Sequence, residues 1–595
     1  LVAAGSFPAP ATARADRIPE WARDVVWYQI FPTRFANGNT ANDPGRASLN
    51  HPHEAPSGWQ VMPWTEDWYA RAEWERTKSP HFYDTVLQRR YGGDLRGVLN
   101  RLDYLESLGI TGIYFNPVFF ADSLHKYDGN SFHHIDPHFG PEPRADLRQI
   151  ASETANPATW EWTAADKLFL KLLRECKARG IRVIIDGVWN HTGRDFFAFR
   201  DIRRNHRKSR YARWYAIKSF DDPRTARNEF DYRGWFGFRS LPEFANTPSG
   251  DNLAPGPRRY IFHATERWMD PDGDGDPSDG IDGWRLDVAE EVPTGFWREW
   301  HARVRAINPE AFTTAEIWGS SADYVEANHF SSAMNYRGFA IPVKGWLIDG
   351  AITPSAFAAR LAEEREARGD TAAGVLQNLV DSHDTQRVAT AIANRDSWDH
   401  YKNADWFDYD ESDRVHAMAP GHNLDAPDAA GRRIWKMVAL FQATYVGAPM
   451  LYYGTAAGMW GADDPDDRMP MWWPDMEFAP MRLRPGGGTR DEPESAGFDP
   501  AIHTAYRAVI AIRHNHAAFR RGDFRVLETR DAAGLFVFER SHEGRRFVVA
   551  LNRGDGSVSL DGEYLKNLRR IHTTATQDGE RELSPLSAAI YGPAN

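Results

Sequence analysis

An arginine and an aspartate stand two residues apart, Arg285 and Asp287, at the end of a short apolar run in GIDGWRLDVAEEV (280–292). In a strand, residues i and i+2 point to the same side, so a guanidinium would sit beside a carboxylate and hold it ionised. An anionic carboxylate in such a place is an activated nucleophile. Other short apolar runs end in the same way, on Asn116, Asp186, Glu316 and the stretch Asp381 to Asp384. For these groups to act together, the ends of several strands must meet.

The elements that would bring them together follow from periodicity. Strand-like runs at 25–31, 112–117, 183–186, 283–287, 313–317, 333–336, 375–380 and 449–453 alternate with amphipathic stretches such as 95–108, 164–179 and 432–443. That alternation predicts βα units and a parallel sheet. Eight strands close a (β/α)8 TIM barrel, whose active face lies at the C-terminal strand ends. A doubly wound open sheet also binds ligands there, but no glycine-rich phosphate loop follows the first run. Two connections are too long for ordinary loops, 51–90 and 192–256, and the second is expected to form an inserted subdomain over the site. After a helix at 501–514 the pattern changes to short strands separated by turns, which predicts a C-terminal antiparallel β-sandwich over 522–595. The expected division is therefore an N-terminal extension (1–23), a catalytic barrel (24–521) carrying the inserted subdomain, and the sandwich.

Composition narrows the function classes. A net charge of −12 over 595 residues, with no basic stripe, argues against a nucleic-acid partner. No run approaches the roughly 20 apolar residues needed to span a bilayer, so no membrane role is expected. The 23 Trp, 21 Tyr and 33 Phe are an excess that core packing only partly absorbs. Aromatics clustered with polar groups, as in WTEDWYARAEW (64–74), suit the flat faces of sugar rings. A single cysteine, Cys176, rules out an intrachain disulfide and reads as an inert core residue. The Ala/Pro-rich opening (LVAAGSFPAPATARAD) is expected to be either the remnant of a removed signal peptide, which would make the protein periplasmic or secreted, or an expression scar that leaves the cytoplasm open.

Four segments now fall in order: DGVWNH (186–191), GWRLDVAEE (283–291), AEIW (315–318) and VDSHD (380–384). Together they resemble the conserved regions of the α-amylase family of retaining glycoside hydrolases, family 13. The resemblance runs over nearly the whole chain from about Val25. WYQIFPTRFANG, YGGDLRGVLNRLDYLESLGITGIYFNPVF and HKYDGNSFHHIDPHFG look most like the cyclomaltodextrinase, neopullulanase and maltogenic amylase group. That group carries an N-terminal β-sandwich on which its dimers lean, and here only a short stretch precedes the first strand. Its dimer is therefore not carried over, and the oligomeric state stays open.

The resemblance assigns roles. Asp287 would be the nucleophile and Glu316 the acid and then the base; a retaining pair stands roughly 5 to 5.5 Å apart. Asp384, beside His383, would bind sugar hydroxyls in the transition state. His191 would bind the same ring, Tyr127 would stack beneath it, and Asn190 and Asp186 would hold the architecture. Asp464 and Arg468 match a clamp on the next sugar towards the non-reducing end, while Glu291 and Trp318 would face the leaving group. Glu290 stands where the group often has asparagine, and YYGTAAGMWG departs from the usual YYGDEIGM, so subsite shape is expected to differ.

Two loops are expected to bind calcium, which takes six to eight oxygens. Asn37, Asn39, Asn42 and Asp43 follow the first strand, and Gly92 and Asp94 would meet them; the same pattern binds calcium in the resembled group. In DPDGDGDPSDGID, Asp270, Asp272, Asp274 and Asp276 are spaced like the opening of an EF-hand loop with Gly275 at its sixth position, although Ile281 replaces the bidentate glutamate. The expected activity is a retaining α-glucan hydrolase acting on α-1,4 bonds of maltooligosaccharides, cyclodextrins, pullulan or starch. A glucanotransferase or trehalose-forming isomerase would use the same carboxylates, and a non-catalytic α-glucan-binding protein is the alternative outside enzymes.

Overall fold

The computed structural model describes residues 18–49, 55–222, 224–322, 324, 329–395, 415–575 and 579–593. Eight parallel strands form the centre: β1 (Trp27–Ile30), β2 (Gly112–Phe115), β3 (Arg182–Gly187), β4 (Gly283–Leu286), β5 (Phe312–Ala315), β6 (Ser332–Ala333), β7 (Gln377–Asn378) and β8 (Ala448–Tyr452). Each falls on one of the eight apolar runs. β1 pairs with both β2 and β8, with Trp27 opposite Gly112 on one side and Met450 on the other. A parallel bridge from Met334 to Gln377, with the Asn335 amide donating to the Gln377 carbonyl at 2.8 Å, joins β6 to β7 and closes the barrel.

The pleat decides which side chains enter the barrel. Trp27, Tyr114, Ile184 and Phe312 belong to one inner cluster, with Trp27 stacked on Phe312 at 5.3 Å. Their neighbours Tyr28, Ile113, Ile185 and Trp284 belong to the other cluster, packed against the surrounding helices. Two residues beyond each inner side chain the same face continues towards the C-terminal rim, so Gln29, Asn116 and Asp186 follow inward, Thr314 and then Glu316 follow Phe312, and on β4 Arg285 and Asp287 follow Gly283. Gly283 lies at φ +155, where a Cβ would strike the Phe312 carbonyl, so only glycine lets β4 and β5 approach.

The helices start where short polar side chains can cap them. Thr163 caps Ala164–Ala178 in a capping box with Asp166, and Asp428 caps Ala429–Thr444. The stretch read as one helix at 95–108 is two, Leu95–Asn100 and Leu102–Leu108, because Arg101 leaves helical geometry at φ −113, ψ 8. A hairpin of Met481–Arg484 and Gly488–Glu494 was not anticipated.

The aromatic stretch at 64–74 corrects an expectation. Trp68, Tyr69 and Trp74 are buried, and Trp64 is half-buried with its indole N–H donating to the Met471 carbonyl at 3.0 Å. Arg89 lies over Trp68 and Phe82, and Arg34 over Tyr91. These rings form a core around two buried arginines and offer no open sugar platform.

The C-terminal strands Asp523–Arg530, Leu535–His542, Arg545–Asn552, Ser587–Pro593 and Leu568–Thr573 form one antiparallel sheet in that spatial order. Leu535 and Val537 pack on Val558 and Leu583 of a small second sheet, while Phe536 and Phe538 pack into the barrel cluster. Burial of both faces explains why LFVF is apolar without alternation. Among the described residues, no helix is long and apolar enough to cross a membrane.

Candidate active site

Arg285 is the hub. Its Nη1 donates to both Asp186 oxygens at 3.0 and 2.9 Å and to Asp287 Oδ1 at 2.9 Å, while Nη2 pairs with Glu316 Oε2 at 2.9 Å. Asp287 and Glu316 follow β4 and β5, so adjacent strands bring two carboxylates to one guanidinium. Arg285 and Asp186 are fully buried, and 8% of each of the Asp287 and Glu316 side chains is exposed.

This arrangement alters the expected charge balance. Burial first, and the neighbouring Glu316 charge second, push the Asp287 carboxyl well above the usual carboxylate range, against the pull of Arg285. The guanidinium is divided among three anions, so the pull it exerts on Asp287 is shared with Asp186 and Glu316. One cation to three buried carboxylates leaves the cluster short of positive charge, so it retains a proton as a group.

A hydrogen-bonded floor lies beside the cluster. Asp186 accepts from the Tyr114 and Tyr127 hydroxyls at 2.7 and 3.0 Å, which gives it the architectural place expected for it. The Tyr127 hydroxyl lies 2.6 Å from His383 Nε2, and the two rings stack at 5.4 Å. Burial drives the His383 pKa well down, so the ring is neutral. Gln29 Nε2 donates to His383 Nδ1 at 2.9 Å and to Asn116 Oδ1 at 3.0 Å, which leaves the ring proton on Nε2, facing Tyr127 and Asp384. Gln29 was absent from the sequence reading, although its inward place on β1 follows from the pleat.

Asp384 Oδ2 is 3.1 Å from His383 Nε2, and its Oδ1 accepts from Arg468 Nη2 at 3.2 Å. Burial pushes its carboxyl up to about 7 against the Arg468 charge, with 31% of the side chain still facing solvent. Arg468 also donates from Nε to the His383 carbonyl at 2.7 Å and pairs with Asp464 at 2.9 Å. The loop bearing it is braced by the first insertion, since Trp68 and Tyr83 donate to the two oxygens of Asp466 at 2.6 and 2.7 Å.

Glu316 is oriented from two directions. Trp318 Nε1 donates to its Oε1 at 3.1 Å, and the Val288 amide donates to its Oε2 at 2.9 Å. Val288 adopts φ 39, ψ 50, a strained left-handed conformation for a β-branched residue, directly after Asp287. The strain turns that amide towards Glu316. Trp318 is itself held by stacking on Tyr336 at 3.9 Å.

His191 is buried, its pKa pushed down to about 3, and it stacks on Trp235 of the inserted segment at 5.5 Å. Phe236 and Phe238 beside it are 66% and 58% exposed. Glu291 lies exposed on a short turn, where its charge is felt by Glu243; it is Glu290 whose charge meets Glu316.

The two oxygen-rich loops differ. In the first, Asn37 donates to Asp43 Oδ1 at 2.8 Å, a Cβ on Gly92 would collide with both, and Asn42 Oδ1 is buried with no hydrogen-bond partner among the described residues. Asp94 instead accepts from the Gly38, Gly97 and Asn42 donors, and Asn39 accepts from the Ala41 amide. These donors fit a calcium ion, with Asp94 and Asn39 also serving the backbone. In the second loop the carboxylates that converge are Asp270, Asp272 and Asp279. Asp274 and Asp276 accept from the amides of Asp276 and Ser278 and do not join them. Asp279 was missed because it lies outside the EF-hand spacing; its Oδ1 is buried without a hydrogen-bond partner, and burial with the Asp272 and Asp270 charges raises its carboxyl.

Comparison with known proteins agrees with this geometry. The family described as "Alpha amylase, catalytic domain" matches residues 29–156 and 163–407. Neopullulanase 2 of Thermoactinomyces vulgaris is 32% identical over 543 residues, covering 91% of this chain and 72% of that protein. A cyclomaltodextrinase of a Bacillus species is 31% identical over 543 residues, covering 91% and 75%. Among solved structures, the cyclic α-maltosyl-(1→6)-maltose hydrolase from Arthrobacter globiformis superposes with a TM-score of 0.69 at 26% identity, over 97% of this chain and 100% of that one. With a closed barrel, acidic groups gathered at its C-terminal rim and a family match over most of its length, the chain belongs to the α-amylase family of glycoside hydrolases.

Proposed function

We propose that this hydrolase cleaves α-1,4-glucosidic bonds of maltooligosaccharides, cyclodextrins, pullulan or starch by double displacement with retention. The observation that carries this reading is the sharing of Arg285 between Asp287 and Glu316. In the first step a protonated Glu316 gives its proton to the glycosidic oxygen while Asp287 attacks the anomeric carbon, forming a glycosyl ester as the C–O bond breaks. In the second, Glu316 takes a proton from water, whose oxygen displaces Asp287. The proton retained by the buried cluster supplies the first step. Tyr127, His191, His383 and Asp384 surround the reacting ring, Arg468 and Asp464 hold the next sugar, and Trp318 lies on the leaving-group side.

Proton NMR of a maltotriose digest tests this: the α-anomer should appear first, and the β-anomer first would overturn retention. Larger oligosaccharides dominating at early times would assign a glucanotransferase instead, and a Glu316→Gln variant with full activity would remove the catalytic assignment. Calcium is assigned to the Asn37–Asp94 site and to Asp270, Asp272 and Asp279, where it would brace the rim without entering the bond-breaking steps. EDTA should lower Tm and calcium should restore it, each occupied site adding about 2.7 kcal/mol of stability at a hundredfold excess over its Kd; an unchanged Tm would remove the calcium assignment.

A further inference from the structure

His133, His134 and Glu153 form a second cluster outside the catalytic groups. Their side chains are 2%, 0% and 3% exposed. Both imidazole Nε2 atoms converge on one carboxylate oxygen, Glu153 Oε2, at 3.0 and 2.5 Å. The other carboxylate oxygen accepts from the Glu161 amide at 3.1 Å, which aims Oε2 inward.

Each ring is fixed from behind. His134 Nδ1 lies 2.7 Å from Asp166 Oδ2, and His133 Nδ1 lies 2.7 Å from the Tyr260 hydroxyl and 3.0 Å from Ser131 Oγ. The His133 ring also stacks on Trp160 at 4.1 Å. Outer partners on both Nδ1 atoms set the tautomer that turns an Nε2 lone pair towards a metal. Arg267 reaches Asp166 at 3.4 Å and donates to the His133 carbonyl at 2.8 Å, so positive charge stands behind the outer carboxylate. A surface hollow lined in part by Thr154, Pro157 and Tyr260 lies alongside.

We propose that His133 Nε2, His134 Nε2 and Glu153 Oε2 bind a divalent transition-metal ion of the zinc class, with water as the fourth ligand. Two imidazoles and one carboxylate suit zinc, and its bond lengths of about 2.0 to 2.2 Å set tetrahedral ligands about 3.3 Å apart. The two imidazole-to-carboxylate separations, 3.0 and 2.5 Å, reach that value with shifts of under about 1 Å, and all three donor atoms lie within 4.8 Å of one another. Calcium, which prefers oxygen donors, is a poor fit. The ion would join the segment that carries Tyr127 to the loop at 151–163 and the helix Ala164–Ala178, and so stabilise the wall of the site without touching substrate.

The test uses the full chain stripped with chelator and titrated with Co2+. One equivalent should produce the visible absorption of a four-coordinate site, and Zn2+ should abolish it. Glu153→Gln should weaken Co2+ binding at least about 100-fold while leaving glucan hydrolysis in place, and Asp272→Asn, in the oxygen-rich loop, should not change the spectrum. Absence of the bands in the native chain would overturn the proposal and leave the cluster held by protons alone. Unchanged bands in Glu153→Gln would equally overturn it, by placing the ion elsewhere.

Discussion

Two buried arginines in this protein are treated in opposite ways. Arg89 faces one carboxylate, Glu75, in a two-pronged pair at 2.8 and 2.7 Å, and its remaining donors reach the Trp68 and Ala70 carbonyls at 2.6 Å each. Glu75 in turn accepts from Thr85 and from the Ala72 amide. Charge is balanced there and every prong is used. Arg285 faces three carboxylates, leaving excess negative charge in a buried place. A closed pair holds structure together; an overcommitted one stores a proton and keeps carboxylates ready to react.

The largest effect expected to test this contrast comes from Asp287→Asn. It should lower kcat on maltotriose by on the order of 10⁴-fold or more while leaving Tm unchanged or raised, because one of three crowded anions is gone. A marked loss of Tm would erase the distinction. Glu75→Gln should do the reverse: it leaves Arg89 buried with half its pairing, costs about 3–5 kcal/mol in denaturant melts, and changes kcat of the folded enzyme little. Trp318→Phe sharpens the picture by removing one donor to Glu316, with a loss of about tenfold in kcat and little change in stability.

The smallest expected effect is a pH dependence. A free aspartate titrates near 3.9, whereas Asp384 is pushed up to about 7 in the fold. The folded state therefore binds more protons between those values, and the carboxyl's contribution falls as pH rises from about 4 through about 7. Asp384→Asn should gain about 1 kcal/mol at pH 8, discounted for the solvent-facing edge, and nothing at pH 4. A gain confined to acid pH would reverse the sign and reject the raised pKa.

Much of this was legible in the sequence. The eight strands follow from apolar runs alternating with amphipathic stretches, and the inward placing of Asp186, Arg285, Asp287 and Glu316 follows from a period of two, which needs no tertiary information. What escaped depends on partners far away in the chain. Trp68 and Trp74 read as sugar platforms because no local signal announces that Arg89 and Arg34 will fill the space between the rings. Asp279 escaped because it lies outside the EF-hand spacing, and only the folded loop sets it against Asp270 and Asp272. Arg285 read as a private partner of Asp287, while the claim of Asp186 on it is set by β3 lying against β4. Glu153 is separated from His133 and His134 by a loop and a short helix, and nothing in HHIDPHFG names it.

The bracing of Asp466 by Trp68 and Tyr83 has a wider consequence. A segment inserted between the first strand and its helix steadies the loop that carries Arg468, although it supplies none of the three carboxylates around Arg285. Replacing that segment by a short turn should therefore change which glucan lengths are accepted more than it changes turnover.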